Sequence, residues 1–395
     1  MNNNINNNEE LFITRAEIEA NPKIRLVDSD PDNNIELFCY DSCDENDEEI
    51  VKICRGIVLS GENIVLRGFP YTVEYTQKNN SAEIYELLNS NMCRIYDSFE
   101  GTLLRMFCFN NKWYLSTNRK LDANKSKWSS KATFGELFKK AIEYEIVVNP
   151  KFCDAIVHAD PENSMCLMSK FLNMLNPSRQ YMFLLLCDME NRIVCRYDHP
   201  KFLHVGTFIN GGSQLSLDHD VSLGLDSPKQ HLFDSIEQMY EYINTMDYNL
   251  LQGVIVFAPG NKQYKIFNQT YLDLYQVRGN EASVKFRYLQ IRNDAEKKEQ
   301  LRALYPEWCS TFDFYDKCIL NICGTILQGY INRYIRKIFT TLPLEQFIVM
   351  SEVHKWHKLD QENNKVNLSI VLLTLNLQKP TTINRMIKKF IAENK

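Results

Sequence analysis

"RIYDSFEGTLLRMF", Arg94 to Phe107, reads as two β-strands joined at Glu100-Gly101-Thr102. Strand-forming side chains lie on both sides of the turn. Asp97, Ser98 and Phe99 precede it. What the acid and the glycine serve depends on the rest of the chain.

From Ile35 to about Phe267 the pattern is mostly strands. "IELFCY", "VKICRGIVL" and "NIVLRGF" are short runs of β-formers broken by Gly, Asn and Asp. "GTLLRMFCF" and "KWYLST" flank Asn110-Asn111, which reads as a hairpin turn. "YMFLLLCDMENRIVCRY" reads as two strands around an Asp-Met-Glu-Asn turn. "QGVIVFAPGNKQYKIF" reads as a hairpin turning at Pro259-Gly260-Asn261. Helical spacing marks "SAEIYELLNSN" with a serine cap, "TFGELFKKAIEYEI" and "SIEQMYEYINTM".

After about Ser283 the period becomes 3.6 residues. "AEKKEQLRALY", "FYDKCILNICGTILQGYINRYIRKIF", "LEQFIVMSEVHKWHKL" and "TTINRMIKKFIAEN" all follow it, punctuated by Pro306, Pro343 and Pro380. The expected fold class is α+β with antiparallel sheets, followed by an all-α C-terminal domain. The expected divisions are an Asn-rich disordered lead at 1–10, an α+β domain at 11–282 and a helical domain at 283–395.

The 395 residues are 44% hydrophobic and 12% aromatic, which suits packed globular domains. No apolar run reaches the ~18 residues a membrane helix needs, and no secretory signal opens the chain, so no membrane partner is expected. The 12 cysteines are never spaced C-x-x-C and read as reduced thiols. His354 and His357 read as a surface pair, and no metal site is expected. The net charge of −5 hides an asymmetry. Residues 1–50 carry 14 acids against 3 bases, and residues 105–140 carry 9 bases against 2 acids. That excludes wholesale coating of nucleic acid but allows a local phosphate-tracking groove.

In order along the chain stand "CRGIVL", "RGFPYTVEY", "SFEGTLLRMF", "YMFLLLCDMENRIVCRY", "QGVIVF" and "YKIFNQTYL". This series resembles the ATP-dependent RNA ligases of the phage tRNA-repair type, within the covalent nucleotidyltransferase superfamily, and in particular the degenerate RNA-ligase-like proteins of large DNA viruses. The resemblance covers roughly residues 20–280. It implies a nucleotidyltransferase (RNA/DNA ligase adenylation) domain. In that family a lysine attacks the α-phosphate of ATP, carboxylates hold a metal, and further lysines offset the triphosphate charge.

Carried over residue by residue, the pattern breaks. The lysine position holds Ser98, with Glu100 and Gly101 kept. The two carboxylate positions hold Leu184 and Gln252. The final K-x-K pattern keeps Lys265 but holds Phe267 second. Arg55 matches, and Arg105 stands on the same strand as the motif. A serine without a base is a poor nucleophile, so no catalytic residue is expected. The nucleotide-binding candidates are Arg55, Glu100, Gly101, Arg105 and Lys265. The bland readings stand beside them: a strand-edge turn for Glu100-Gly101, solvated strand residues for Arg105 and Lys265, a core filler for Leu184.

"KWYLSTNRKLDANKSKWSSK", Lys112 to Lys131, interleaves bases with Trp113, Tyr114 and Trp128. Cations can track a phosphate backbone while aromatics stack on bases. Lys112, Arg119, Lys120, Lys125 and Lys127 are the nucleic-acid candidates, against the alternative that the tryptophans anchor a core. The expected function is a pseudoenzyme of RNA-ligase type that binds RNA or a nucleotide, or acts as a protein scaffold, without a cofactor. The alternatives are an active RNA ligase using ATP, magnesium and a displaced lysine, Lys112 or Lys120, or a purely structural virion component. The expected compartment is intracellular (cytoplasmic), with virion association the other option.

Overall fold

Backbone N–H and C=O groups must be paired wherever they are buried, and the strand-forming runs do this in three sheets. A computed structural model describes residues 13–76, 82–90, 92–160, 162–186, 191–209 and 214–394. The Asn-rich lead, the Ser81 cap and the turn at 187–190 lie outside those residues. The chain divides into two compact units, Met1–Asp273 and Leu274–Lys395, against the expected division after 282.

In the first unit, β1 (Ile24–Asp30), β2 (Ile35–Tyr40), β3 (Arg55–Ser60) and β4 (Asn63–Leu66) form an antiparallel sheet in sequence order. Then follow β5 (Thr72–Tyr75), β6 (Arg94–Ser98), β7 (Thr102–Phe109), β8 (Lys112–Ser116), β9 (Gln180–Leu186), β10 (Lys201–Ile209) and β11 (Gln214–Ser216). Last come β12 (Gln230–His231), β13 (Gly253–Ala258) and β14 (Lys262–Phe267). The second sheet has the order β11-β10-β9-β7-β8, and the third β12-β6-β13-β14-β5. Pairing is antiparallel except between β14 and β5. The quoted stretch therefore does not close a hairpin. Its halves, β6 and β7, belong to different sheets, and Phe99-Glu100-Gly101 carries the chain from one to the other.

Side chains alternate across a strand, so each sheet presents one face to a core and one elsewhere. Leu104 and Met106 of β7 and Tyr181, Phe183 and Leu185 of β9 pack with Phe138, Phe152 and Phe171 of the helices Phe134–Val148, Pro150–Ala159 and Leu167–Asn173. Ile95 of β6, Val254 and Val256 of β13, and Tyr264 and Ile266 of β14 pack on the helices Ala82–Asn89 and Ile236–Thr245. The opposite faces of these two sheets, carrying Leu103 and Leu184 on one side and Tyr96, Ser98, Ile255 and Lys265 on the other, line a cleft.

Several expectations hold in detail. Asn110 and Asn111 both take left-handed backbone (φ 50° and 59°), the geometry of a two-residue hairpin. The helix expected from "TFGELFKKAIEYEI" runs Phe134–Val148, and Thr133 forms a full capping box with Glu136 at its start. Others are corrected. Glu49–Ile53, the start of "VKICRGIVL", is a helical turn and only Arg55 onward is strand. "RIVCRY" is not a strand: the N–H groups of Ile193, Val194 and Cys195 go to the Glu100 carboxylate instead of a ladder. The strand β10, unanticipated, takes the place beside β9.

The second unit is helical. Cys309–Tyr330, Leu344–Leu359, Leu368–Asn376 and Pro380–Glu393 bury Ile322, Ile326, Val349, Val353, Leu375 and Ile387. "INRYIRKIF" does not prolong the first of these helices. Ile331–Arg336 forms a π-turn, and Lys337 then enters left-handed backbone. No helix among the described residues is long and apolar enough to cross a membrane.

Candidate functional site

The cleft of the first unit has a volume of about 690 Å³, within the range of small-molecule sites. Ser98 ends β6 at its floor, 4% exposed, with its Oγ 3.5 Å from Oε1 of Gln252. The backbone fixes that pair: Ser98 is opposite Gly253, and the Gln252 N–H donates to the Ser98 carbonyl. Gly253 is required here. Its φ is +152°, and a Cβ would sit 2.0 Å from the Ile266 carbonyl oxygen. Gln252 in turn donates to the Tyr271 hydroxyl at 3.0 Å.

Leu184 and Gln252, at the expected carboxylate positions, both line the cleft. Phe267 does not; its ring stacks on Tyr271 with centroids 5.8 Å apart. Asp97 does not replace the missing acids. It faces the opposite side of β6, where its carboxylate accepts from His231 Nε2 at 2.8 Å and from Tyr242 Oη at 2.6 Å. Among the described residues no group of three His, Cys, Asp or Glu is placed to hold a metal ion.

Glu100 is buried and does not line the cleft. Its carboxylate gathers the three N–H groups named above and the Tyr271 hydroxyl at 3.0 Å. Burial pushes its carboxyl upward while those four donors oppose the shift. Its nucleotide-binding candidacy is corrected to a structural role, tying the 193–195 segment to the strand turn. Gly101 allows β9 to approach, since a Cβ there would meet the Leu185 carbonyl oxygen at 2.6 Å. Arg105 is fully buried and also off the cleft. Its guanidinium donates to the carbonyls of Gly56 and Thr117, and burial lowers it to about 9.

Three of the five nucleotide candidates line the cleft: Gly101 by its backbone, and Arg55 and Lys265 by their side chains. Arg55 donates to the Pro70 carbonyl at 3.2 Å and Thr72 Oγ1 at 3.3 Å. Lys265 is half-buried, with its ammonium 5.5 Å from the Phe267 ring centroid. Desolvation lowers its basicity, and Glu74 on the neighbouring strand partly offsets this. Neither Arg55 nor Lys265 has an ion-pair partner among the described residues.

The nucleic-acid candidates do not converge on this cleft; Lys112 and Lys125 instead line a second one, of about 770 Å³, with Trp113 and Tyr114. Lys112 is paired with Asp30 at 2.8 Å, and Lys120 with Asp28 at 3.7 Å. Arg119 lines the cleft, but its guanidinium donates to the carbonyls of Tyr40 and Asp41. Lys125 and Lys127 are exposed outside the cleft. Trp113 and Trp128 pack against the Phe138 core, so the core-anchor alternative holds for them.

The sequence reading missed the rim. Asp218, His219, Lys229 and Gln230 line the cleft from a segment without hydrophobic period. His204 of β10 also lines it, bonded to Thr207 Oγ1 at 2.8 Å and held neutral by burial, which lowers it to about 4. The walls carry four basic side chains, Arg55, Arg119, Lys229 and Lys265. Of the two acids, Asp218 is paired with Arg94 at 2.6 Å and Asp97 faces away.

Among solved structures the fold is similar to those of polynucleotide ligases. It is similar to an archaeal ATP-dependent RNA ligase (10% identity, TM-score 0.39, covering 71% of this chain and 66% of that one). It is also similar to the Naegleria gruberi RNA ligase with PPi (11% identity, TM-score 0.32). That match covers 50% of this chain and 56% of the Naegleria protein. No protein-family profile matches. By sequence the chain is 30% identical over 380 residues to the Immediate-early protein ICP-46 homolog of Invertebrate iridescent virus 6, covering 90% of this chain and 81% of that protein. The counterpart in Invertebrate iridescent virus 3 is 26% identical, covering 87% and 75%. The chain belongs to this family of viral immediate-early ICP-46 proteins.

Proposed function

We propose that the first unit binds a nucleotide, or the phosphate end of an RNA, in its cleft without forming a covalent intermediate. The observation that carries this is Lys265: a lysine inside a cleft of nucleotide size, without a carboxylate partner, beside Arg55. An anion there would gain charge-assisted hydrogen bonds and relieve a cation that Glu74 offsets only in part. Phe69, Tyr96 and Phe257 offer aromatic surface for a base on the same walls.

The chemistry of adenylylation is what the cleft lacks. Ser98 has no base within hydrogen-bond reach, since Gln252 cannot take a proton. Leu184 and Gln252 supply no charge for a metal. ATP suits the cleft as a ligand; magnesium suits none of its walls. Equilibrium dialysis with labelled ATP tests the reading, with binding expected for the wild type and a roughly tenfold loss in Lys265→Ala, the scale of about 1.4 kcal/mol.

A second reading has one observation in its favour. The displaced lysines expected for an active enzyme, Lys112 and Lys120, are off the cleft and ion-paired. Lys265 is in it, with a lowered pKa, and that is the condition for a nucleophilic amine. A nucleotide bound covalently to Lys265 would make the protein a nucleotidyltransferase of altered design.

A further inference from the structure

The second unit carries an exposed apolar turn that its own core does not use. After the helix Cys309–Tyr330, the π-turn Ile331–Arg336 and the left-handed Lys337 reverse the chain. The reversal is anchored rather than frayed. The Ile338 N–H donates to the Asn332 carbonyl at 2.9 Å. Leu342 packs against Gly329 so closely that a Cβ on the glycine would lie 2.7 Å from its Cδ1. Between these anchors the chain holds apolar side chains out: Ile335 is 65% exposed, Ile338 52%, Phe339 85%, and Leu344, just beyond, 71%.

The charge around this tip is of one sign. No acid occurs between Asp316 and Glu345, whereas Arg333, Arg336 and Lys337 fall within the tip. Glu345 is engaged by Arg385 at 3.9 Å. Arg333 lies over the rings of Tyr334 and Phe347. Arg336 and Lys337 are exposed without an ion-pair partner among the described residues.

We propose that this tip docks on an anionic phospholipid surface, inserting Ile335, Ile338 and Phe339 at the headgroup boundary while Arg336 and Lys337 meet the phosphates. Apolar side chains beside cations, on an exposed element too short to span, are the chemistry of interfacial attachment. The lack of a spanning helix leaves such attachment open. Single-stranded nucleic acid would prefer stacking rings, and three of the four exposed apolar groups are aliphatic. A protein partner would have to supply both an apolar pocket and matching acids; an anionic bilayer supplies an apolar layer and negative charge without a specific pocket.

The test is co-sedimentation of the full chain with vesicles of phosphatidylcholine alone and of phosphatidylcholine with phosphatidylserine. Binding to the mixed vesicles is expected, at least tenfold weaker on phosphatidylcholine alone, and weakened by salt. Ile338→Ser with Phe339→Ser should reduce it more than tenfold, and Arg336→Gln with Lys337→Gln several-fold, both with unchanged melting temperature because all four side chains are exposed. No binding to either vesicle, or binding that both double variants retain, overturns the proposal. So does loss in the variants of RNA binding, or of self-association in sedimentation, without any vesicle binding. Those results would assign the tip to nucleic acid or to a second copy.

Discussion

The Ser98 hydroxyl and the Gln252 side-chain oxygen lie 3.5 Å apart at the floor of the cleft, and neither can generate a strong nucleophile. The pair is locked by backbone: Gly253 opposite Ser98, and the Gln252 N–H on the Ser98 carbonyl. A polar contact thus stands where the resemblance to RNA ligases implies a lysine and a carboxylate.

Replacing Ser98 with lysine alone should not produce adenylylation. The new ammonium would enter a cleft already holding Arg55 and Lys265, with Leu184 beside it. Like charges and desolvation lower its pKa, but Leu184 and Gln252 stand where the resemblance implies carboxylates for the metal that assists triphosphate departure, and Asp218 is already paired with Arg94. The Ser98→Lys protein should show no labelled band with ATP. The variant that also carries Leu184→Glu and Gln252→Glu tests whether the missing acids are the cause.

Nucleotide affinity should fall as pH rises toward the ordinary lysine range. Lys265 is lowered from its usual 10.5, so its ammonium is lost earlier than that of an exposed lysine. For stability the sign is opposite. The unfolded chain holds this proton more tightly, so between the folded and unfolded pKa values the fold gains stability with pH. Titrating ATP affinity from neutral pH upward, for wild type and Lys265→Arg, checks this; the arginine variant should hold its affinity to higher pH.

Acidification should destabilise the first unit through His204. Its folded value of about 4 lies below the unfolded 6.5, so the unfolded chain takes up the proton first. Stability is full above the unfolded value and falls as pH drops toward the folded one. At pH 5 the loss from this group is about 2 kcal/mol. Urea unfolding at neutral pH and pH 5 should show that difference shrinking in His204→Gln.

Glu100→Ala should cost at least about 3 kcal/mol, since it strands the N–H groups of Ile193, Val194 and Cys195 and the Tyr271 hydroxyl, at about 1–3 kcal/mol for each buried orphan. Glu100→Gln should cost less, because the amide oxygen still accepts. Urea unfolding measures both. Nucleotide affinity of whatever folds should fall less than in Lys265→Ala, because the carboxylate does not line the cleft and only helps, with Glu74, to hold the charge on Lys265.

Local signals in the sequence carried the elements whose pairing is local. The Asn110-Asn111 turn and the β13–β14 hairpin are each specified within a few residues. The strand β10 was illegible because "KFLHVGTFI" has apolar residues on both faces; it is buried on both, and only pairing with β9 reveals it. The site was half legible for the same reason. Alternation along β14 puts Lys265 opposite Ile266, but only the folded chain shows that the Lys265 face lines a cleft. Lys112 and Lys120 read as free bases because their partners, Asp30 and Asp28, lie far back in the chain. Glu100 read as a ligand group because the N–H groups that occupy it come from a segment that composition marks as strand.

The most direct measurement is incubation of the wild-type protein with radiolabelled ATP or GTP and magnesium or manganese, followed by a denaturing gel. The account predicts reversible binding in dialysis and no label on the denatured chain. An acid-labile band that survives denaturation, and disappears in Lys265→Ala, would contradict it and make Lys265 the nucleophile.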